Sequence, residues 1–127
     1  MFSHVTIGSN DLPKAKGFYD SLLTPLGLVR RADYPEAVGY GRPDGRAQVW
    51  ILRPLDKQAA SAGNGITIGL EAADRATVDA AYKAAMAAGG RDEGGPGLRP
   101  HYHANYYAAY LRDPDGTKVC IVCHKAP

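Results

Sequence analysis

The pattern of apolar and polar positions predicts one short strand near the start of each half of the chain. In residues 2–8 the apolar side chains of Val5 and Ile7 alternate with polar ones, and in residues 66–71 Ile66, Ile68 and Leu70 do the same. Alternation with a period of two is typical of a strand with one buried face. Each strand therefore has a second, open face that is available for other side chains.

A helix is predicted to follow each of these strands. Asp11 and Asp74 are suited to cap a helix N-terminus, and Pro13 fits the first turn of the first helix. Gly27 and the pair Gly89-Gly90 are expected to end the helices. The apolar residues that follow the caps recur at helical spacing: Ala15, Phe18, Tyr19 and Leu22, then Val78, Ala81, Tyr82, Ala85 and Met86.

Short strand candidates fill the remainder of both halves. Two tight turns, Pro43-Asp44-Gly45 and Pro114-Asp115-Gly116, predict hairpins. The strand candidates are residues 28–32, 37–41, 48–52, 106–112 and 118–123.

The two halves match each other as an internal duplication. Asp11 matches Asp74, Tyr19 matches Tyr82 and Gly27 matches Gly90, each at a shift of 63 residues. The shift then grows to 70 and 71, so the second copy has extra residues near 92–105. We therefore expect a single domain, with module one at 1–55, a linker at 56–64 that is rich in Ala, Ser and Gly, and module two at 65–127.

The predicted fold is α+β. One unit of a strand, a helix and two or three strands is too small to cover both faces of its sheet, so the two copies are expected to pair. The helices would cover one face, and the other faces would curve around a common cleft. The sequence leaves open whether the copies pair within one chain or exchange across a dimer.

Composition excludes several classes of protein. A net charge of +2 and scattered cations give no support for nucleic-acid binding. No apolar run approaches the roughly 20 residues of a membrane span, and the chain opens on a strand, so a cytoplasmic location is expected.

Cys120 and Cys123 would point to opposite faces of a strand and are expected to be reduced thiols. No hydrolase triad or phosphate-binding loop is present.

The ordered motifs resemble the vicinal oxygen chelate superfamily, which includes glyoxalase I, bleomycin-resistance proteins and extradiol dioxygenases. The resemblance rests on His4-Val5-Thr6-Ile7, Asp11-Leu12-Pro13, Phe18-Tyr19 and Asp113-Pro114-Asp115-Gly116. It implies two βαβββ modules that form a cup-shaped site, commonly in a homodimer. It also implies either one divalent metal in an enzyme or a metal-free pocket that binds a small molecule.

Four positions match the metal ligands of the family. His4 is the standard first ligand, whereas Thr67 and Cys120 stand where His and Glu are common, and the fourth position falls at Gln48 or Val49. Such a set lacks a carboxylate, so it would hold Mn, Fe or Ni weakly and would leave Zn with two strong ligands. The site could therefore hold Zn, Ni, Mn or Fe, or no metal.

A second group of candidate residues lies where module two is longer. If the segment is extended, His101 and His103 share one face and Tyr106 lies on the other, with Arg99 as a cation for a planar or anionic ligand. The alternative is that the tyrosines form a dimer contact and the histidines face solvent. Trp50 and Tyr40 are candidates for the cup wall or, equally, for the core.

Two functions remain open. One is a lyase, isomerase or dioxygenase with His4 as a metal ligand. The other is a binding protein that sequesters a small aromatic or amphiphilic compound without chemistry.

Overall fold

Each half of the chain begins with a strand that pairs in parallel with a strand at the end of the same half. The computed structural model describes residues 1–127. The first sheet has the order β1-β4-β3-β2, and only its β1–β4 pairing is parallel. Its strands are β1 (Val5–Gly8), β2 (Val29–Tyr34), β3 (Ala37–Gly41) and β4 (Val49–Leu52).

The second sheet repeats this arrangement with one difference at its edge. Its order is β5-β9-β8-β6, with β5 parallel to β9, and the short β7 also pairs with β8. The sequence did not predict β6 or β7, because each is only two residues long and the segment between them is rich in Gly. The strands are β5 (Ile68–Glu71), β6 (Arg91–Asp92), β7 (Gly97–Leu98), β8 (Tyr107–Arg112) and β9 (Lys118–Cys123).

The two helices begin at the predicted caps. Helix α1 (Leu12–Leu23) starts where the Asp11 carboxylate accepts a hydrogen bond from the Lys14 N–H at 3.1 Å. Helix α2 (Arg75–Ala87) starts where Asp74 accepts one from the Thr77 N–H at 2.7 Å. Both contacts satisfy a donor that has no partner within the helix.

Helix α1 ends earlier than Gly27 because Pro25 lacks the N–H that would continue it. A 3₁₀ turn, Thr24–Leu26, follows, and Gly27 then adopts a left-handed conformation with φ 79°.

One hydrophobic core joins both halves of the chain. A cluster of 20 buried residues includes Phe18 and Leu22 of α1, Val78 and Ala81 of α2, and residues from both sheets. The helices thus cover one face of each sheet. This arrangement confirms the predicted α+β fold with paired βαβββ units and leaves the opposite sheet faces open.

A second, small cluster lies on the open face of the second sheet. Ala108, Cys120 and Val122 pack there against Tyr106 and Tyr110. Cys123 instead belongs to the large core, and both cysteines are free thiols, as the alternation in β9 predicted. The open face of this sheet is therefore lined by tyrosine rings.

Asn10 attaches the segment between the halves to the rest of the domain. Its side-chain amide donates to the Ala60 carbonyl at 3.1 Å and accepts from the Ala60 N–H at 2.7 Å. Its own N–H donates to the Asp115 carboxylate at 2.9 Å. Three parts of the chain therefore meet at one residue.

Neither helix is long and apolar enough to cross a membrane.

Candidate functional site

His4 and Gln48 lie side by side on the open face of the first sheet. The Val5 N–H donates to the Gln48 carbonyl at 2.9 Å, and the parallel pairing continues with Val5 opposite Val49. Val49 is buried on the helix side, whereas Gln48 is exposed. The position beside His4, left open between these two residues by the sequence, is therefore Gln48.

These two residues line a cavity of about 260 Å³ at the β1 and β5 edges, which we call the His4 cavity. Glu71 lines it as well and is its one carboxylate. The remaining lining is mostly apolar, and the His4 Nδ1 lies 2.9 Å from the Ser3 hydroxyl. The other lining residues are Phe2, Ser3, Val5, Leu28, Val49, Ile68, Gly69 and Leu70.

Thr67 and Cys120 line a different cavity, of about 330 Å³, on the second sheet. We call it the tyrosine cavity. Thr67 is exposed at its mouth, and Cys120 is 3% exposed at its floor. Its lining is Thr67, Gly69, Tyr102, Tyr106, Tyr110, Lys118, Cys120 and Val122.

The four positions expected to bind a metal are thus divided between two cavities. No group of three or more His, Cys, Asp or Glu side chains is placed to hold a metal ion. The His4 cavity contributes one imidazole and one carboxylate, from His4 and Glu71, and the other cavity contributes a hydroxyl and a buried thiol. Lys118 would place an ammonium group beside them. These residues do not fit the divalent metal that the family commonly uses.

Two phenol groups and a thiol form a polar chain inside the tyrosine cavity. The Tyr106 and Tyr110 hydroxyls share a hydrogen bond of 2.8 Å, and the Tyr106 hydroxyl lies 3.7 Å from the Cys120 sulfur. Tyr110 pairs with Cys120 across β8 and β9, which brings their side chains to the same face. The Tyr102 ring packs on Tyr106 with its centroid 4.8 Å away.

Burial keeps these phenols neutral. It raises the pKa of Tyr106, while the hydrogen bond with Tyr110 opposes this rise and the neighbouring Cys120 adds to it. Burial also raises the pKa of Tyr110, with the hydrogen bonds to Tyr106 and Cys120 adding to it. Neutral phenols both donate and accept hydrogen bonds and offer an aromatic face. Neither phenol is therefore ionised near pH 7, as a phenolate base would have to be.

The segment before β8 is folded into turns and is not extended, so the condition under which His101 and His103 would share one face is not met. The Tyr102 N–H donates to the Arg99 carbonyl, and the Tyr106 N–H donates to the His103 carbonyl. His103 and Tyr106, expected on opposite faces, instead contact each other with ring centroids 5.5 Å apart. His101 packs on Tyr102 with a centroid distance of 4.3 Å and is exposed.

His103 forms a pair with His124. The His103 Nε2 and the His124 Nδ1 are 2.9 Å apart, and the rings are stacked. The Asn105 N–H donates to the His103 Nδ1 at 3.1 Å, which leaves the His103 Nε2 to face His124. The pair forms a wall against the edge of Tyr106.

Arg99 does not line the tyrosine cavity, contrary to its expected role as the cation for a ligand. Its guanidinium donates to the carbonyls of Gly94, Gly95 and Gly97 at 2.8–3.3 Å. It lies 5.6 Å from the centroid of the Tyr110 ring. Arg99 therefore holds the Gly-rich loop behind Tyr110.

Tyr40 belongs to the core and not to the cup wall, which decides between the two positions that the sequence left open for it. Its side chain is 1% exposed, and its hydroxyl donates to the Lys16 carbonyl and to Asp20. Trp50 is half-buried on the open face of the first sheet, where its ring covers Gly39. Trp50 lines neither the His4 cavity nor the tyrosine cavity.

Sequence reasoning missed Lys118, Tyr110 and Val122 as lining residues. A usable signal was present, because the alternation in β9 places residues 118, 120 and 122 on one face. Tyr110 follows from its pairing with Cys120. His124 carried no signal, since it follows the last strand and meets His103 only through the fold.

The family follows from both the fold and the sequence. Residues 1–121 match the family model of the Glyoxalase/Bleomycin resistance protein/Dioxygenase superfamily. The chain belongs to this superfamily. No curated protein matches the chain significantly.

Solved structures of the same superfamily share the whole fold. A glyoxalase/bleomycin resistance protein from Albidiferax ferrireducens T118 is 40% identical with a TM-score of 0.87, covering 98% of this chain and 99% of that chain. A superfamily member from Sphaerobacter thermophilus DSM 20745 is 26% identical with a TM-score of 0.65, covering 97% of both chains. A lactoylglutathione lyase from Agrobacterium tumefaciens has a TM-score of 0.66 at 23% identity, covers 97% of this chain and 92% of that chain, and shares the fold alone.

Proposed function

We propose that this protein binds a small aromatic molecule in the tyrosine cavity without a metal ion. The observation that carries the proposal is the hydrogen-bonded pair Tyr106–Tyr110 above Cys120, in a cavity of about 330 Å³. This volume lies at the lower end of the range of about 300–1,000 Å³ that is usual for ligand pockets. Aromatic faces and neutral hydroxyls bind planar molecules that carry a few polar groups.

The donor chemistry favours binding over metal-dependent catalysis. A lyase, isomerase or dioxygenase of this superfamily type would need a divalent ion, and the positions that match its ligands lie on two sheets and include only one imidazole. By this proposal the chain sequesters its ligand rather than converting it.

The proposal is tested with chelator-treated protein and a panel of small aromatic compounds in thermal melts. Ligands that bind only the folded state raise the melting temperature, so hits should stabilise wild-type protein. Tyr106→Ala should lose this stabilisation, whereas Tyr34→Ala, which changes an exposed tyrosine on β2, should keep it. Stabilisation that appears only after a divalent metal is restored would contradict the proposal.

We also propose that the protein acts as a cytoplasmic homodimer. The proposal rests on membership of the superfamily. Light scattering at micromolar concentration should give twice the chain mass of 13.5 kDa. A monomeric mass would contradict it.

A further inference from the structure

A polar cavity adjoins the tyrosine cavity and shares two of its residues. It has a volume of about 300 Å³, and both Thr67 and Lys118 line the two cavities. The rest of the polar cavity is formed by residues 63–66, two of which are glycines, and by Arg112. An aromatic surface and a polar recess thus meet at Lys118.

The charge around this junction is positive and has no acidic counterpart in either cavity. No Asp or Glu lines the tyrosine cavity or the polar cavity. Arg112 is already paired, because its Nε donates to Glu93 at 2.9 Å and its Nη1 donates to the Gly116 carbonyl. The charge of Lys118 acts on the Glu93 carboxyl, but that carboxyl lies outside both cavities.

Lys118 is the cation that remains available. It takes part in none of the five salt bridges of the chain. Its ammonium lies 5.4 Å from the centroid of the Tyr110 ring, so the aromatic side chain holds it at the boundary between the cavities. An ammonium in such a place attracts an anionic group on a ligand.

We infer that the two cavities together bind an anionic aromatic small molecule, with its ring on the tyrosines and its carboxylate or phosphate beside Lys118. This inference rests on the proposed function and specifies the ligand class. The ring meets Tyr102 and Tyr106, and the anionic group enters the polar cavity next to Thr67 and Arg112. A neutral aromatic molecule would use only the first half of the site.

The test compares three probes by amide NMR titration of chelator-treated protein: 4-hydroxybenzoate, phenyl phosphate and neutral phenol. We expect at least one of the anionic probes to bind about tenfold more tightly than phenol, since a charge-assisted hydrogen bond adds to the ring contacts. The two anionic probes separate carboxylate from phosphate recognition. Added salt should reduce this preference.

Two variants of Lys118 test whether its positive charge is the cause of the preference for an anion. Lys118→Gln should lose the preference for the anion over phenol, and Lys118→Arg should keep the preference. Lys83→Gln on the exposed side of α2 is the matched control and should behave as wild type. Equal binding of phenol and both anions, or an unchanged preference in Lys118→Gln, overturns the inference but leaves the proposed function intact. Failure of all three probes to bind overturns both.

Discussion

The hydroxyl of Tyr19 in helix α1 donates a 2.6 Å hydrogen bond to the Asp113 carboxylate, which lies between β8 and β9. Both side chains are 1% exposed. The other oxygen of Asp113 accepts from the N–H groups of Asp115 and Thr117 and so holds the turn that precedes β9. One buried contact therefore joins the first half of the chain to the turn that positions the tyrosine cavity.

Tyr19→Phe should destabilise the fold by about 2 kcal/mol, the usual effect of removing a hydrogen bond to a buried charged group. The ring stays in place, so the change leaves packing intact and removes one donor. Urea unfolding of both proteins measures the difference. Tyr34→Phe, which alters an exposed ring, is the control. A cost no larger than that of the control would contradict this account.

The cost of Tyr19→Phe should depend on pH. Burial raises the pKa of Asp113, and the Tyr19 hydrogen bond opposes that rise because it favours the ionised carboxylate. In the wild-type protein the pKa of Asp113 is higher in the folded state than in the unfolded state. The contribution of Asp113 to stability therefore falls as the pH rises through the window between these two pKa values. Without the Tyr19 donor the pKa rises further, so the difference between the proteins should grow with pH through this window.

Unfolding free energies from about pH 4 to pH 8 test this sign. The same comparison is then made between Asp113→Asn and the double variant Tyr19→Phe/Asp113→Asn. Their difference in unfolding free energy should not depend on pH, because the titrating group is gone. A Tyr19→Phe cost that stays constant with pH, or that grows as pH falls, would contradict the assignment.

Tyr40→Phe should lower stability without changing ligand affinity. The hydroxyl contacts Lys16 and Asp20 on the helix side of the first sheet, away from the tyrosine cavity. We expect a loss of about 1 kcal/mol in urea unfolding, as for a typical intramolecular hydrogen bond. The affinity for an aromatic probe should match that of wild type, and a loss of affinity of tenfold or more would show that Tyr40 belongs to the site.

His4→Ala should leave the response to divalent metals unchanged. Since the donor set is divided between two cavities, Zn, Ni, Mn or Fe(II) should raise the melting temperature of neither wild type nor the variant. Elemental analysis of untagged protein should find no stoichiometric metal. Near-stoichiometric metal that stabilises the wild type and disappears in His4→Ala would contradict the division of the site.

Some features of the molecule follow from local sequence. The caps Asp11 and Asp74 and the alternation in β9 concern neighbouring residues, so the sequence contains the information that fixes them. Alternation could not assign Tyr40, because Val38, Gly39, Tyr40 and Gly41 in β3 are all buried. On the open face Gly39 is covered by Ala47 and the Trp50 ring, so residues of both faces are buried and the period of two does not identify the helix side.

The candidate site depended on contacts that are remote in sequence. The resemblance to the family could place His4 with the position at Gln48 or Val49, but their separation from Thr67 and Cys120 depends on how the two sheets are arranged. The stacking of His103 on His124 also joins a loop to the end of the chain. The role of Arg99 was misjudged because its partners are backbone carbonyls, which no pattern of side chains reveals.

The central claim is that the tyrosine cavity binds its ligand without a metal. The most direct measurement is amide chemical-shift mapping of an aromatic probe such as 4-hydroxybenzoate on chelator-treated protein. The account predicts perturbations that cluster at Thr67, Tyr106, Tyr110 and the open face of β9, unchanged when a divalent metal is added. Perturbations that centre on His4 and Gln48, or that require the metal, would contradict it.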